Sequence, residues 1–147
     1  MAGKKRTEAA GRTREALLGT IKAEQMTSGC ISKDAVADIA QSFKLSVSDV
    51  YGVTTFYSFL STRLLGRHVI RVCKSVPCCL QEAEMIIECI EGELGITPGE
   101  TTSDGRFSFE LTNCIGACDH APAMLVDDEV HGHLTREKIA EILRSYD

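Results

Sequence analysis

The sequence predicts a two-part chain of the α+β or α/β class, with an N-terminal helical bundle over residues 1–65 and a small α/β layer over 66–147. Three observations carry the division. Apolar residues in the first half recur at helical spacing behind capping serines, whereas the second half alternates short β-type runs with a long amphipathic stretch. Charge divides at the same place: residues 1–65 hold nine Lys/Arg against six Asp/Glu and residues 66–147 seven against fifteen, so +3 and −8 give the net −5. At 147 residues the chain is long enough to bury a core without disulfides.

In the first half, Ala16, Leu17, Ile21 and Ala23 to Met26 form a loose helical stripe, with Thr27-Ser28-Gly29 as its stop. Ser32 is placed to cap a second helix whose Val36, Ile39, Ala40 and Phe43 follow the spacing of a one-faced helix. Ser46 offers another cap, and Asp49 three residues on suits the positive end of a helix. The segment 50–60 mixes aromatic and β-branched residues but follows a capped start without a hairpin signal. It is read as helix interrupted at Gly52.

In the second half, His68 to Val72 is a short β-type run that delivers Cys73 at its C-terminal end. Cys78 then opens a helix in which Leu80, Ala83, Ile87, Ile90 and Leu94 recur at helical spacing and Gly95 stops the run. Phe107 to Leu111 alternates like a half-buried strand. Ala123 to Val126 starts another beyond Pro122, Asp127-Asp128 turns the chain, and Val130 to Leu134 returns. Thr135 caps a last helix carrying Ile139, Ile142 and Leu143. The order β-α-β-β-α suggests a small thioredoxin-like layer.

Four cysteines stand in two pairs, Cys73-x4-Cys78 and Cys114-x3-Cys118. Four thiolates from two loops are the usual protein contribution to a 2Fe-2S cluster. Gly116 allows the second loop's backbone to approach the sulfurs, Pro77 stiffens the first loop, and a helix N-terminus beside Cys78 should lower its thiol pKa. Structural zinc is the less typical match to these spacings, a Rieske centre would replace two cysteines by histidines, and a thiol-disulfide enzyme would need Cys-x-x-Cys, which is absent. Of the remaining cysteines, Cys30 and Cys89 are read as packing residues. Cys79 is read the same way, although it directly follows a ligand and could substitute for it. His131-Gly132-His133 would put two imidazoles on one strand face without an identifiable third ligand, and His68 and His120 flank the cluster loops; none is given a function.

Seven cysteines, an odd number, with no apolar leader near the start, point to a reducing compartment, and the cytoplasm is expected. Direct membrane insertion is not expected, because no run approaches the roughly 20 apolar residues of a span. Nucleic acid is not expected either, since no basic stripe could neutralise a line of phosphates.

Cys73-Lys-Ser-Val-Pro-Cys78, followed after 35 residues by Cys114-Ile-Gly-Ala-Cys118-Asp-His-Ala-Pro122, resembles the thioredoxin-like 2Fe-2S subunit of NADH:quinone oxidoreductase. Val50 to Tyr57 and Leu134 to Lys138 resemble the same family, so the likeness runs from about Ala16 to the C-terminus, and the first residues are expected to be disordered. The resemblance implies a helical bundle followed by a thioredoxin-like 2Fe-2S ferredoxin domain with one cluster per chain. It also implies a flavoprotein partner carrying FMN, a 4Fe-4S cluster and the NAD(H) site, whose flavin exchanges single electrons with this chain's cluster. Similar subunits occur in NAD-reducing or electron-bifurcating hydrogenases and in NAD-dependent formate dehydrogenases, and the short chain looks more like those soluble assemblies. Relatives often have glycine in the first turn after the second cysteine, where this chain has Gln81-Glu82, and an aromatic where it has Cys79.

The expected function is electron transfer within a multisubunit NAD(H)-dependent oxidoreductase, with Cys73, Cys78, Cys114 and Cys118 as ligands and no catalytic residue. The alternatives are a structural zinc or interaction module and a stand-alone ferredoxin shuttle, the second disfavoured by the extra helical half.

Overall fold

The computed structural model describes residues 14–80 and 82–146. The expected disorder of the first residues lies outside the described residues. Packing divides the chain into one unit ending at Leu64 and another beginning at Leu65.

In the first unit a 3-10 turn, Arg14–Ala16, leads into α1 (Leu17–Ser28), which Gly29 ends in the left-handed conformation (φ 76°) with its N–H on the Gln25 carbonyl. Helix α2 (Lys33–Phe43) starts at Ser32, whose hydroxyl accepts from the Ala35 amide. Helix α3 (Val47–Phe56) starts at Ser46, with a reciprocal capping box to Asp49. Leu17, Ile21, Ile31, Val36, Ile39, Ala40, Phe43 and Val50 close on one another as the core of this unit. The returning segment is tied to α1 by Gln25, which donates to the Phe59 carbonyl and accepts from the Ser61 amide at 2.6 Å.

Two sequence expectations are corrected here. Gly52 does not interrupt α3, because the helical ladder passes through it with open space around its Cα. The helix also ends at Phe56 rather than running to Leu60: Tyr57 is extended (ψ 114°), so the aromatic tail is a surface loop.

The Ser46 cap carries a testable consequence. Ser46→Ala should cost about 1 kcal/mol in the stability of the helical unit, read from urea unfolding followed by far-UV circular dichroism. Asp49 is held below the ordinary carboxylate range by hydrogen bonds from the Ser46 hydroxyl and amide. A lowered carboxyl contributes above its unfolded pKa, so its share should vanish as pH falls through the lowered value, and Ser46→Ala should flatten that acid limb.

In the second unit β1 (His68–Cys73) lies between β2 (Phe107–Thr112) and β3 (Met124–Val126), with β4 (Glu129–His131) outside β3, giving the order β2-β1-β3-β4. Strands β1 and β2 are parallel, with Ile70 opposite Phe109 and Cys73 opposite Thr112. The pairs β1/β3 and β3/β4 are antiparallel. Ile70, Val72, Phe107, Phe109, Met124 and Val126 supply the sheet's share of the core, closed by α5 (Ala83–Leu94) and α6 (Arg136–Ser145) through Ile86, Ile90, Ile139 and Leu143. Thr135 caps α6 through the Lys138 amide, as its sequence position predicts. The helix expected from Cys78 to Leu94 is two helices. A short α4 (Val76–Cys79) stops at Leu80, 80% exposed, and Glu82 turns the chain at φ 61° before α5 begins. That left-handed position favours glycine, so Glu82 holds a strained backbone there. Strand β2 also departs from the half-buried pattern: Phe107, Ser108 and Phe109 are all buried, the Ser108 hydroxyl receiving the Gly66 amide and contacting the Thr101 hydroxyl. The returning strand is shorter than expected, ending at His131.

Candidate metal centre

Parallel pairing of β1 with β2 decides where the cysteines meet. Both strands end at the same sheet edge, so the loops that leave Cys73 and Thr112 start side by side. The Lys74 amide continues the ladder to the Thr112 carbonyl at 2.9 Å, and the Cys73 thiol donates to the Asn113 carbonyl at 2.7 Å. The Ser75 hydroxyl donates to the same carbonyl. Cys73 is buried, Cys78 is half-buried at the edge of the second core, and Cys114 and Cys118 are exposed.

Backbone amides surround the sulfurs. The Ser75 amide donates to Cys73 Sγ and the Gly116 amide to Cys114 Sγ, each at 3.4 Å, while the Ile115 amide reaches across from the second loop to Cys73. Gly116 serves this arrangement for a reason other than the expected one. A Cβ there would meet nothing within 4 Å, but its φ of 78° lies in the region side chains rarely adopt. Pro77 sits in the first turn of α4, so its loop is helical.

The four thiols also act on one another. Burial pushes the Cys73 thiol up, but hydrogen bonds from Ser75, Cys78 and the Ile115 amide outweigh it and leave its pKa lowered. Cys78 goes the other way, pushed up to about 12 by burial, by Cys73, and by the charges of Cys118 and Cys114. The expected lowering of Cys78 by a helix N-terminus is therefore corrected: a four-residue helix is too short to overcome burial and three neighbouring sulfurs. This crowding fits the donor set to an iron-sulfur group, since each thiol would release its proton and bind iron as the thiolate, and the surrounding amides favour the negative charge that remains. Among the described residues, no three Cys, His, Asp or Glu side chains are gathered as one ion would require, whereas a 2Fe-2S unit divides four thiolates between two irons.

The other sequence candidates fall elsewhere. Cys89 is buried in α5 with its sulfur toward the Arg136 carbonyl and its thiol pushed up by burial, as a packing residue. Cys30 lies half-buried between α1 and α2. Cys79 is exposed, with Sγ 3.6 Å from the Lys74 carbonyl, which corrects its reading as a packing residue. His68 does not flank a cluster loop. It stands at the far end of β1, about 16 Å of strand from Cys73, with Nδ1 2.8 Å from Asp127 Oδ2. His131 and His133 do not share a strand face either: β4 ends at His131, which meets the Tyr146 hydroxyl at 3.0 Å, while His133 (φ 51°) packs edge-on against His120. Sequence reasoning misses Ser75, Asn113 and the Ile115 amide. Only the position of Ser75, two residues past Cys73 and before Pro77, hints at a local cap.

A thioredoxin-like layer whose parallel strands bring two cysteine pairs to one edge, under a set of amide donors, has the architecture of an iron-sulfur protein. The family model of the thioredoxin-like 2Fe-2S ferredoxins matches residues 4–147, and the chain belongs to that family. Its cofactor is a 2Fe-2S cluster, which sets aside the zinc alternative. Among curated proteins, the E subunit of the NADH-quinone oxidoreductase of Escherichia coli (strain K12) is 42% identical over 133 residues, covering 90% of this chain and 80% of the relative. The same-named protein of Pseudomonas aeruginosa is 38% identical over the same shares. The E 2 subunit of the NADH-quinone oxidoreductase of Rhizobium meliloti is 33% identical, with 90% of this chain and 79% of the relative covered. Among solved structures, an NAD+-reducing NiFe-hydrogenase in its H2-reduced state superposes on 87% of this chain with a TM-score of 0.72 at 23% identity. This chain spans 22% of that much longer one, and the likeness is one of fold. Among the described residues, no helix is long and apolar enough to cross a membrane.

Proposed function

We propose that this chain is the electron-transfer subunit of a multisubunit NADH:quinone oxidoreductase and that Cys73, Cys78, Cys114 and Cys118 hold its cluster. The observation that carries the reading is the arrival of both cysteine pairs at one sheet edge, with the amides of Ser75, Ile115 and Gly116 directed at sulfur. A bound 2Fe-2S cluster supplies a one-electron couple. The chain's own residues exclude water from Cys73, keep it hydrogen-bonded, and leave Cys114 and Cys118 at the surface, where a partner's redox centre can approach.

The partner in this reading is a flavoprotein with FMN, a 4Fe-4S cluster and the NAD(H) site. The names of relatives at 33–42% identity favour the quinone-linked complex. The soluble hydrogenase or formate dehydrogenase setting expected from the short chain rests on fold likeness alone and becomes the second choice. A peripheral place on a complex facing the reducing cytoplasm suits seven free thiols. The helical unit is the natural grip: Tyr51 and Phe56 are 51% and 79% exposed, the Tyr57 ring packs edge-on against Phe56, and a shallow groove runs between Ser48, Gly52, Val53 and Phe56.

Anaerobic mixing with the flavoprotein encoded beside this chain, followed by NADH, tests the reading. The full-length protein alone should remain oxidised, since no G-x-G-x-x-G dinucleotide fingerprint occurs in it. The mixture should develop the reduced-cluster paramagnetic signal. Phe56→Glu with Tyr57→Glu should weaken association roughly 30-fold or more, about 2 kcal/mol, while leaving the cluster spectrum intact. Direct NADH reduction of the isolated protein would overturn the division of labour; unchanged affinity of the double variant would remove only the docking role.

A further inference from the structure

Gly132 lies outside the cysteine loops, yet the Cys118 loop is built against it. Cys118 opens a 3-10 turn, Cys118–His120, set on the buried Ala117, and His120 is the residue of that turn which meets the chain beyond β4. A Cβ placed on Gly132 would lie 2.5 Å from His120 Cβ and 2.8 Å from the His120 carbonyl oxygen, closer than real side chains come. Close approach, not backbone conformation, is therefore what requires glycine here.

The contact is locked on both sides. The His133 amide donates to the His120 carbonyl at 2.8 Å and the Leu134 amide to the Pro122 carbonyl at 3.0 Å. Leu134 is buried in the core of the second unit, so these two bonds connect the Cys118 loop to a segment anchored in that core. Lys138 Nζ donates to the Gly132 carbonyl at 2.7 Å, fastening the glycine to the first turn of α6. The ring of His133 packs edge-on against His120, with centroids 5.4 Å apart.

We propose that Gly132 is a positioning residue for the cluster: its bare Cα lets the segment after β4 press directly on the Cys118–His120 turn and thereby sets where the Cys118 sulfur stands. The proposal rests on the reading that Cys118 is a ligand. A Cβ at residue 132 has only backbone and His120 Cβ to displace, so the turn must move and carry Cys118 with it. Supporting residues behind metal ligands typically change affinity by roughly 10- to 100-fold when altered.

The test uses the full-length, cluster-loaded protein. Gly132→Ala should keep native far-UV circular dichroism, shift the midpoint potential and the anisotropy of the reduced-cluster paramagnetic signal, and speed extraction of iron by a chelator at least about tenfold. His120→Ala keeps the contacting Cβ and should be close to wild type, which separates packing from any effect of the imidazole. The double variant Gly132→Ala with His120→Gly removes the nearer of the two contacts and leaves the carbonyl oxygen at 2.8 Å, so signal and extraction rate should return only part of the way toward wild type. Wild-type potential, signal and extraction rate in a folded Gly132→Ala protein would overturn the proposal. If Gly132→Ala fails to fold, His120→Gly decides: it removes the Cβ that Gly132 presses on, so its midpoint potential and iron extraction should differ from those of His120→Ala, and values equal to those of His120→Ala overturn the proposal. Cys118→Ser, run alongside, keeps the two readings apart. A normal cluster in that variant removes the ligand assignment itself, whereas cluster loss there with a silent Gly132→Ala removes only the positioning role.

Discussion

Cys73→Ser is expected to abolish the visible absorption of the protein and reduce iron and acid-labile sulfide from about two each per chain to background. The expectation follows from where Cys73 sits. It ends the central strand, is buried, and receives the Ser75 and Ile115 amides, so a serine hydroxyl would occupy a cradle arranged for a thiolate while remaining a poor, protonated ligand. Cys114→Ser and Cys118→Ser should be nearly as damaging. Cys78→Ser is the informative exception. Cys79 is the next residue in α4, but neighbours on a helix point about 100° apart, so Cys79 can reach the vacated position only if that four-residue helix unwinds. A partly loaded, spectrally altered protein is expected for Cys78→Ser and a colourless one for Cys78→Ser with Cys79→Ser. Cys30→Ser and Cys89→Ser should leave the visible spectrum unchanged. Anaerobic reconstitution followed by absorption and iron analysis checks the series, and normal spectra in Cys114→Ser would contradict the ligand assignment.

Phe109→Ala should be the most damaging single change away from the cysteines. Phe109 is fully buried on β2, opposite Ile70 of β1 in the parallel ladder, and belongs to the cluster that joins the sheet to α5 and α6. Its truncation should cost roughly 3–5 kcal/mol, the lost transfer energy plus the cavity left behind. For a unit of this size that corresponds to a fall of more than about 10 °C in melting midpoint. The same strand ends at Thr112, from which the second cysteine loop departs, so the cluster should bleach at the lower temperature together with the loss of secondary structure. Differential scanning calorimetry with parallel absorption at the cluster band provides the measurement. A midpoint within a degree or two of wild type would show that Phe109 does not hold the layer together.

Local chemistry is legible without any fold. Ser32, Ser46 and Thr135 each cap the helix that follows because a capping oxygen needs only an amide three residues on. Gly29 and Gly95 end their helices in the left-handed conformation for a similarly local reason. The two cysteine pairs are candidate cluster ligands on residue type and spacing alone, because a 2Fe-2S centre draws on four thiolates.

What resists reading depends on contacts distant in sequence. The apolar rhythm from Leu80 to Leu94 is continuous, and only the packing of Cys78 against the core, with Glu82 forced to φ 61°, splits it into two helices. By alternation Ser108 is a solvent-facing position, but the Gly66 amide and the Thr101 hydroxyl cover it from segments with no sequence signal of their own. The Cys78 pKa shift runs against the local expectation because the helix end beside it is local, whereas the burial that chiefly raises it comes from packing on the core, helped by Cys73 and by the sulfurs of the second loop. Parallel pairing of β1 and β2, which brings both loops to one edge, depends on a register between strands more than thirty residues apart. That register is chosen by the joint burial of Ile70, Val72, Phe107 and Phe109 beneath two helices. Candidate thiolates are a matter of residue chemistry and can be read along the chain; their placement at one sheet edge is a matter of packing and exists only once the sheet has formed.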